Sequence, residues 1–174
     1  GQFKLDQSDY LNIIKMKTGE LFALSCELGG SLAGGNTNET QALRRYGMAL
    51  GTAYQIYDDC LDIFGTESES GKSLGTDIIE GKATLPILLL HEQAGPELVN
   101  QFEQMVMRWD ADQLNILQSW LSEYNILEKS QSCLSVFLDE ACKSLETINE
   151  SDGRNVLEML PQFLAQQFEQ LGVS

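Results

Sequence analysis

The sequence predicts an all-α protein, and three observations lead to this fold class. Apolar residues recur every three or four positions along most of the 174 residues, which is the period of an α-helix. No segment alternates apolar and polar residues in the way that a half-buried β-strand does. Only three prolines are present, so few positions would interrupt a helix. A packed helical bundle is therefore the expected architecture.

The first predicted helix spans residues 8–28. Its apolar positions follow a helical spacing: Leu11, Ile14, Leu21, Leu24 and Leu28. The glycine-rich segment 29–35 comes next, and glycine supplies the backbone freedom that a helix terminus needs. We therefore expect the helix to end there.

A longer second helix is predicted to follow. Asn38 and Gln41 resemble a capping box, which marks a helix start. Apolar residues then step by three or four as far as Phe64, and Gly65 is expected to end the helix. The polar segment 66–75 is predicted to be a loop.

Shorter helices are predicted over the rest of the chain. One is expected to run from Ile78 or Thr84 to about His91, before a turn at Gly95-Pro96. Four more are predicted over residues 97–108, 112–123, 128–148 and 154–169. No repeat or linker interrupts the chain, so residues 1–174 are expected to form part of one domain.

Composition excludes several classes of function. The 26 acidic residues outnumber the 11 basic ones, and the net charge of −15 argues against a nucleic-acid partner. No apolar run approaches the ~20 residues of a transmembrane helix, and no signal peptide is visible. A single histidine and four scattered cysteines argue against a zinc site. Together these features favour a cytoplasmic protein with reduced thiols.

An acidic stripe on the second predicted helix is the main candidate for function. Asp58, Asp59 and Asp62 project within roughly 60° of Gln55 on a helical wheel. Like charges four residues apart repel, and a bound cation would remove that repulsion. Carboxylate oxygens suit Mg²⁺, which often bridges one or two carboxylates to phosphates. The alternative is a solvated acidic face near a helix end.

Lysines close to the stripe suggest that the cation would bind together with a phosphate-containing anion. Lys72 and Lys82 each follow a glycine shortly after the acidic stripe, and Lys17 precedes Thr18 in the first helix. Glycine permits close approach of the backbone to an anion, and lysine supplies a compact positive charge. Carboxylates for metal and lysines for phosphate together predict a magnesium–diphosphate site.

At this point the sequence resembles a known family, the trans-isoprenyl (polyprenyl) diphosphate synthases of the farnesyl and geranylgeranyl type. The resemblance lies in the family's second aspartate-rich motif. Three segments carry it in the family's order and spacing: QIYDDCLD at residues 55–62, GKSLGTD at 71–77 and GKATLP at 81–86. The Lys17-Thr18 pair matches a further family feature on the preceding helix.

The resemblance implies a reaction and a role for each matching residue. Members of this family condense isopentenyl diphosphate with an allylic diphosphate in a reaction that depends on Mg²⁺. Asp58 and Asp62 would bind Mg²⁺ or support its ligands, and Asp59 and Asp77 would act on the metal through water or neighbouring groups. Lys17, Lys72 and Lys82 would bind the allylic diphosphate, and Thr18 and Gln55 would line the site near the developing cation and the departing proton. The catalytic residues would be Lys17, Thr18, Gln55 and Lys72.

The sequence also departs from the family pattern. The family's first aspartate-rich motif, its arginine pair and its isopentenyl diphosphate-binding region do not occur in residues 1–174. The resemblance therefore implies that residues 1–174 are the C-terminal portion of one synthase domain. We expect this portion to be inactive alone, and we expect the full-length protein to be a homodimer. Two alternatives stay open. One is a non-catalytic regulatory partner of a full-length synthase, and the other is a class I terpene cyclase, whose different second metal motif disfavours it.

Overall fold

The computed structural model describes residues 5–71 and 73–172, and every regular element within them is helical, which confirms the all-α prediction. The described elements are α1 (Gln7–Ile14), a π-helical turn (Lys15–Gly19), α2 (Glu20–Leu32), α3 (Thr37–Phe64), α4 (Glu67–Ser70), α5 (Thr76–Ile79), α6 (Leu85–Gln93), α7 (Pro96–Val106), α8 (Ala111–Glu123), α9 (Ile126–Leu145) and α10 (Asp152–Glu169). In this part of the chain, no helix is both long and apolar enough to cross a membrane.

The first predicted helix is interrupted and longer than expected. A π-helical turn over Lys15–Gly19 separates α1 from α2. The prediction that the helix ends near Leu28 is wrong, because α2 continues to Leu32 through two glycines. The chain leaves the helix at Gly34, whose φ of 83° is left-handed. A glycine within a helix costs only roughly 0.5–1 kcal/mol relative to alanine, which tertiary packing can offset.

The N-cap of helix α3 is Asn36, two residues before the predicted cap. The side chain of Asn36 accepts hydrogen bonds from the backbone N–H groups of Asn38 and Glu39, and the Glu39 carboxylate accepts one from the N–H of Asn36. This reciprocal pair is the capping box, so its assignment to Asn38 and Gln41 is wrong. The end of the helix at Phe64 agrees with the prediction.

The segment after α3 contains more helix than the sequence indicates. The predicted loop 66–75 includes the short helix α4. Of the two starts expected for the next helix, Thr84 is confirmed, because it is the N-cap of α6. The start at Ile78 is wrong, because Ile78 lies in the separate short helix α5, and Gly81 follows α5 at a φ of 71°. All six residues from Leu85 to Leu90 are buried, which accounts for their unbroken apolar run.

The chain divides into two compact units. The first takes the described parts of segments 1–10, 58–131 and 171–174, and the second takes segments 11–57 and 132–170. In the first unit, the Gln118 amide donates to the carbonyl of Ile63, and the N–H of Gly172 donates to that of Phe64. These two bonds tie the C-terminal end of α3 to neighbouring elements.

Small residues bring α2 and α3 close together in the second unit. A Cβ atom on Gly47 would lie 2.4 Å from the carbonyl oxygen of Phe22, and one on Gly51 would lie 2.8 Å from its Cβ. A Cβ on Gly19, at the end of the π-helical turn, would lie 2.8 Å from the sulfur of Met48. Gly47 and Gly51 therefore permit α2 and α3 to approach each other, and Gly19 permits the π-helical turn to lie close to α3.

Candidate metal and diphosphate site

The last two turns of α3 carry the three aspartates of the acidic stripe. Asp58 is half-buried, whereas Asp59 and Asp62 retain only 5% and 0% of their accessible surface. Buried carboxylates require compensating partners, because burial of an isolated charge is costly. A solvated acidic face, the alternative that the sequence left open, therefore does not describe Asp59 and Asp62. We call Asp58, Asp59, Asp62 and Asp77 the aspartate cluster.

Asp62 anchors the loop that follows α3. Its Oδ2 accepts a hydrogen bond of 3.0 Å from the backbone N–H of Asp77, and its backbone carbonyl accepts one of 2.7 Å from the N–H of Gly75. Gly75 has a φ of 73°, and a Cβ there would lie 2.8 Å from the ring of Trp109. The loop thus needs glycine both for its backbone conformation and for its contact with the indole.

Asp77 connects this loop to Lys82. The Lys82 ammonium donates to Oδ1 of Asp77 at 2.7 Å and pairs with the carboxylate of Glu80 at 2.6 Å. These hydrogen bonds, first that to Asp77 and then that to Glu80, raise the pKa of Lys82 above its usual value. The ammonium is therefore fully charged at neutral pH. Because about half of its side chain is exposed, it remains accessible to an anion from solvent.

Asp59 is held by a residue that the sequence analysis did not single out. The Tyr10 hydroxyl donates to Oδ2 of Asp59 at 2.7 Å, and the two residues are 3% and 5% exposed. They lie 49 positions apart in the chain. No local motif in the sequence marks this pair, so only the tertiary structure identifies it.

Two further predicted residues meet in the second unit. The Thr18 hydroxyl donates to Oε1 of Gln55 at 2.7 Å, across 37 positions of sequence. Thr18 lies on the π-helical turn, and Gln55 is 8% exposed on α3. Single-turn π-helical insertions occur frequently at functional sites, because they redirect side chains within a helix. Both residues were predicted from the sequence as site residues, but their contact was not.

Lys17 and Lys72 are the other two lysines that the sequence predicts for the site. Lys17 lies on the π-helical turn with its side chain exposed to solvent. Lys72 lies outside the described residues. Within residues 5–71 and 73–172, no three Asp, Glu, His or Cys side chains come together in a group that could hold a metal ion.

The donor set nevertheless suits a magnesium–diphosphate ligand. Mg²⁺ is usually held by one or two carboxylates and completes its octahedron with water and phosphate oxygens. Asp58 offers a partly accessible carboxylate, and the Lys82 ammonium offers charge for a phosphate. Asp58 and Lys82 are therefore the residues that could hold a metal together with its anion.

Two curated proteins and one family model show what the chain is similar to. A model for polyprenyl synthetase matches residues 1–123. The chain is 32% identical to heptaprenyl diphosphate synthase component 2 of Bacillus subtilis (strain 168), over 89% of this chain and 44% of that protein. It is 30% identical to octaprenyl diphosphate synthase of Escherichia coli (strain K12), over 88% of this chain and 48% of that protein.

A solved structure agrees with these matches. The polyprenyl synthase from Caulobacter crescentus CB15, crystallised with calcium and isoprenyl diphosphate, aligns with a TM-score of 0.88 and 34% identity. The alignment covers 94% of this chain and 50% of that one. The chain thus spans about half the length of the curated relatives it matches.

Proposed function

Because the chain belongs to the polyprenyl synthetase family, we propose that the whole protein is a trans-prenyltransferase of isoprenoid biosynthesis. It would condense isopentenyl diphosphate with an allylic diphosphate. The observation that carries this proposal is the aspartate cluster, in which Tyr10 fixes Asp59 and the Asp77 backbone fixes Asp62. Fixed carboxylates beside an accessible lysine are what a metal-bound diphosphate requires.

Each residue of the cluster has a proposed task. Asp58, the most accessible of the three α3 aspartates, is the proposed Mg²⁺ ligand, and Asp59, Asp62 and Asp77 hold the surrounding geometry. When bound, Mg²⁺ would supply Lewis-acid stabilisation of the departing diphosphate. Lys82 would bind diphosphate oxygens, and Lys17 and Lys72 are proposed to do the same from their match to the family motifs.

Thr18 and Gln55 form a separate polar pair with a proposed catalytic role. Their hydrogen bond fixes the Gln55 amide, whose side chain is almost fully buried. A fixed amide dipole stabilises developing positive charge without needing to reorganise during the reaction. We therefore propose that the pair acts near the allylic cation.

The chain is proposed to be the C-terminal portion of one synthase domain. It spans about half of its relatives, and α2 exposes an apolar stripe. The stripe consists of Leu21, Leu24, Leu28 and Leu32, which are 65%, 47%, 50% and 88% exposed. Contiguous exposed leucines mark surfaces that other polypeptide covers. The rest of the domain would cover them, and slower amide hydrogen exchange of α2 in the whole protein than in residues 1–174 would test this.

Two arrangements of subunits can be distinguished. We propose a cytoplasmic homodimer, as the family resemblance implies. The name of the Bacillus relative, component 2, supports a second candidate in which this protein works with a different subunit. Light scattering gives the molar mass of the purified whole protein, and product formation by that homodimer alone would exclude the need for a second component.

The direct test of the proposed function is product formation. The whole protein, supplied with labelled isopentenyl diphosphate, an allylic diphosphate and Mg²⁺, should give a longer prenyl diphosphate. Chelation of the metal should abolish the product. Absence of product with allylic primers of several lengths, from a folded homodimer, would contradict the proposal.

A further inference from the structure

We infer that Tyr10 is a positioning residue of the aspartate cluster and that it acts through Asp59. This inference rests on the proposed function, because it concerns the same magnesium–diphosphate site. Its starting point is the 2.7 Å hydrogen bond from the Tyr10 hydroxyl to Oδ2 of Asp59. Hydrogen bonds to a carboxylate are roughly twice as strong as bonds between neutral groups.

The position of Tyr10 is itself well defined. Its backbone N–H donates to the carbonyl of Asp6 at 3.1 Å. The Asp6 carboxylate caps the start of α1 by accepting from the N–H of Asp9 and from the hydroxyl of Ser8, both at 2.8 Å. The phenol ring is 3% exposed, so packing restricts its rotation. The hydroxyl therefore meets Asp59 from a fixed point.

The two buried aspartates of α3 are fixed in different ways. The backbone of Asp77 holds the carboxylate of Asp62, and the side chain of Tyr10 holds that of Asp59. Both contacts fix a carboxylate next to Asp58, the proposed metal ligand. Groups that orient the ligands of a metal site typically contribute 10–100-fold to metal affinity. Tyr10 acts one residue further from the metal, because it fixes Asp59 and not the proposed ligand Asp58, and it would touch neither metal nor substrate.

The chemistry of the contact predicts the effect of its removal. Tyr10→Phe keeps the ring and its packing but removes the only hydroxyl of the side chain. Asp59 then loses a donor while it remains buried, so its carboxylate is less firmly oriented. The geometry around Asp58 becomes less defined, so a metal–diphosphate pair should bind less tightly.

The test measures metal binding and does not depend on turnover. Mn²⁺ serves as the probe, together with inorganic pyrophosphate, and the free ion is quantified by electron paramagnetic resonance in the whole protein. We expect Y10F to raise the Mn²⁺ dissociation constant by about tenfold or more. Tyr124→Phe, at the end of α8, is the matched control and should change it less than twofold.

A double-mutant cycle tests the route through Asp59. In an Asp59→Asn background, the Y10F change should add little, because the interaction that it removes is already altered. Should Y10F not fold, D59N alone is expected to raise the Mn²⁺ dissociation constant similarly. An unchanged constant in D59N would then overturn the inference.

Two results would contradict the account, and they are distinguishable. If the wild-type protein binds Mn²⁺ with pyrophosphate but Y10F binds equally well, even with a lower melting temperature, Tyr10 is only structural. If the wild-type protein shows no pyrophosphate-dependent Mn²⁺ binding, the proposed function itself fails, and the inference fails with it.

Discussion

The buried carboxylate of Asp62 accepts a hydrogen bond from the backbone N–H of Asp77 across 3.0 Å and fifteen positions of sequence. Asp62 is fully buried, and its backbone carbonyl also accepts from Gly75. The last aspartate of the stripe therefore holds the loop after α3 in place. This structural task is separate from the proposed metal binding, and the two tasks can be measured separately.

The first prediction concerns the stability contributed by Asp62. In the absence of metal, Asp62→Ala should lower the free energy of unfolding by about 1–3 kcal/mol, because the N–H of Asp77 loses its buried acceptor. Asp58→Ala is the matched control and should cost clearly less, since Asp58 is only half-buried. Urea denaturation followed by circular dichroism measures both. Equal losses of unfolding free energy in the two variants would contradict the claim that Asp62 holds the loop after α3 in place.

The second prediction concerns the ion pair between Glu80 and Lys82. The Glu80 carboxylate competes with an incoming phosphate for the Lys82 ammonium. Glu80→Gln should therefore tighten the binding of inorganic pyrophosphate with Mg²⁺ by roughly twofold to fivefold, as expected for an exposed ion pair. Isothermal titration calorimetry gives the dissociation constants. Glu140→Gln on α9 removes the same charge elsewhere, and tightening of equal size in that control would refute the local explanation.

The third prediction concerns the close contact of α2 and α3. Gly47→Ala should destabilise the fold by ~1–3 kcal/mol or more, because the new methyl group meets the backbone of Phe22 and Ala23. Gly29→Ala should instead stabilise it by about 0.5–1 kcal/mol, since its Cβ meets nothing within 4 Å in a helix. Thermal denaturation compares the two variants. A neutral Gly47→Ala would show that the helices can move apart without cost.

The fourth prediction is a pH dependence from His91, the single histidine of the chain. Burial lowers the pKa of this imidazole below its ordinary value of about 6.5, and Glu103 opposes the shift. Neutral His91 makes its full contribution to the free energy of unfolding above pH ~6.5. This contribution is lost as the pH falls through the folded pKa, because the unfolded chain binds the proton first.

A nuclear magnetic resonance titration of the imidazole signal checks this directly, since only one histidine is present. The midpoint should lie below 6.5, and His91→Gln should remove the corresponding slope in unfolding free energy below about pH 6.5. A midpoint at or above 6.5 would contradict the burial of His91 beside Phe102.

The helices were predictable because their apolar periods are long and regular. The ends of the helices were less predictable, since a cap depends on a single side chain. Asn36 and Asn38 differ by two positions, and both are good capping residues. The π-helical turn at Lys15–Gly19 changes which positions are buried, from Tyr10 and Ile14 before it to Ala23 after it. The run of apolar residues in the sequence does not reveal this change.

The site was predictable in its residues but not in its contacts. The motifs pointed to Asp58, Asp62 and Asp77, and a helical wheel placed the α3 aspartates on one face, but neither showed that Asp59 and Asp62 are buried. A wheel assigns one buried face, whereas α3 has neighbours on several sides. Tyr10 was not predictable, because its contact with Asp59 depends on tertiary structure alone.

The most direct test of the central claim is the binding of inorganic pyrophosphate to the whole protein, by calorimetry, with and without Mg²⁺. Wild type should bind only with Mg²⁺, and Asp58→Asn should weaken that binding by about tenfold or more. Asp139→Asn, an equal change of charge on α9, should leave it unchanged. Equal, Mg²⁺-dependent binding by wild type and Asp58→Asn would contradict the claim that the aspartate cluster holds the metal–diphosphate ligand.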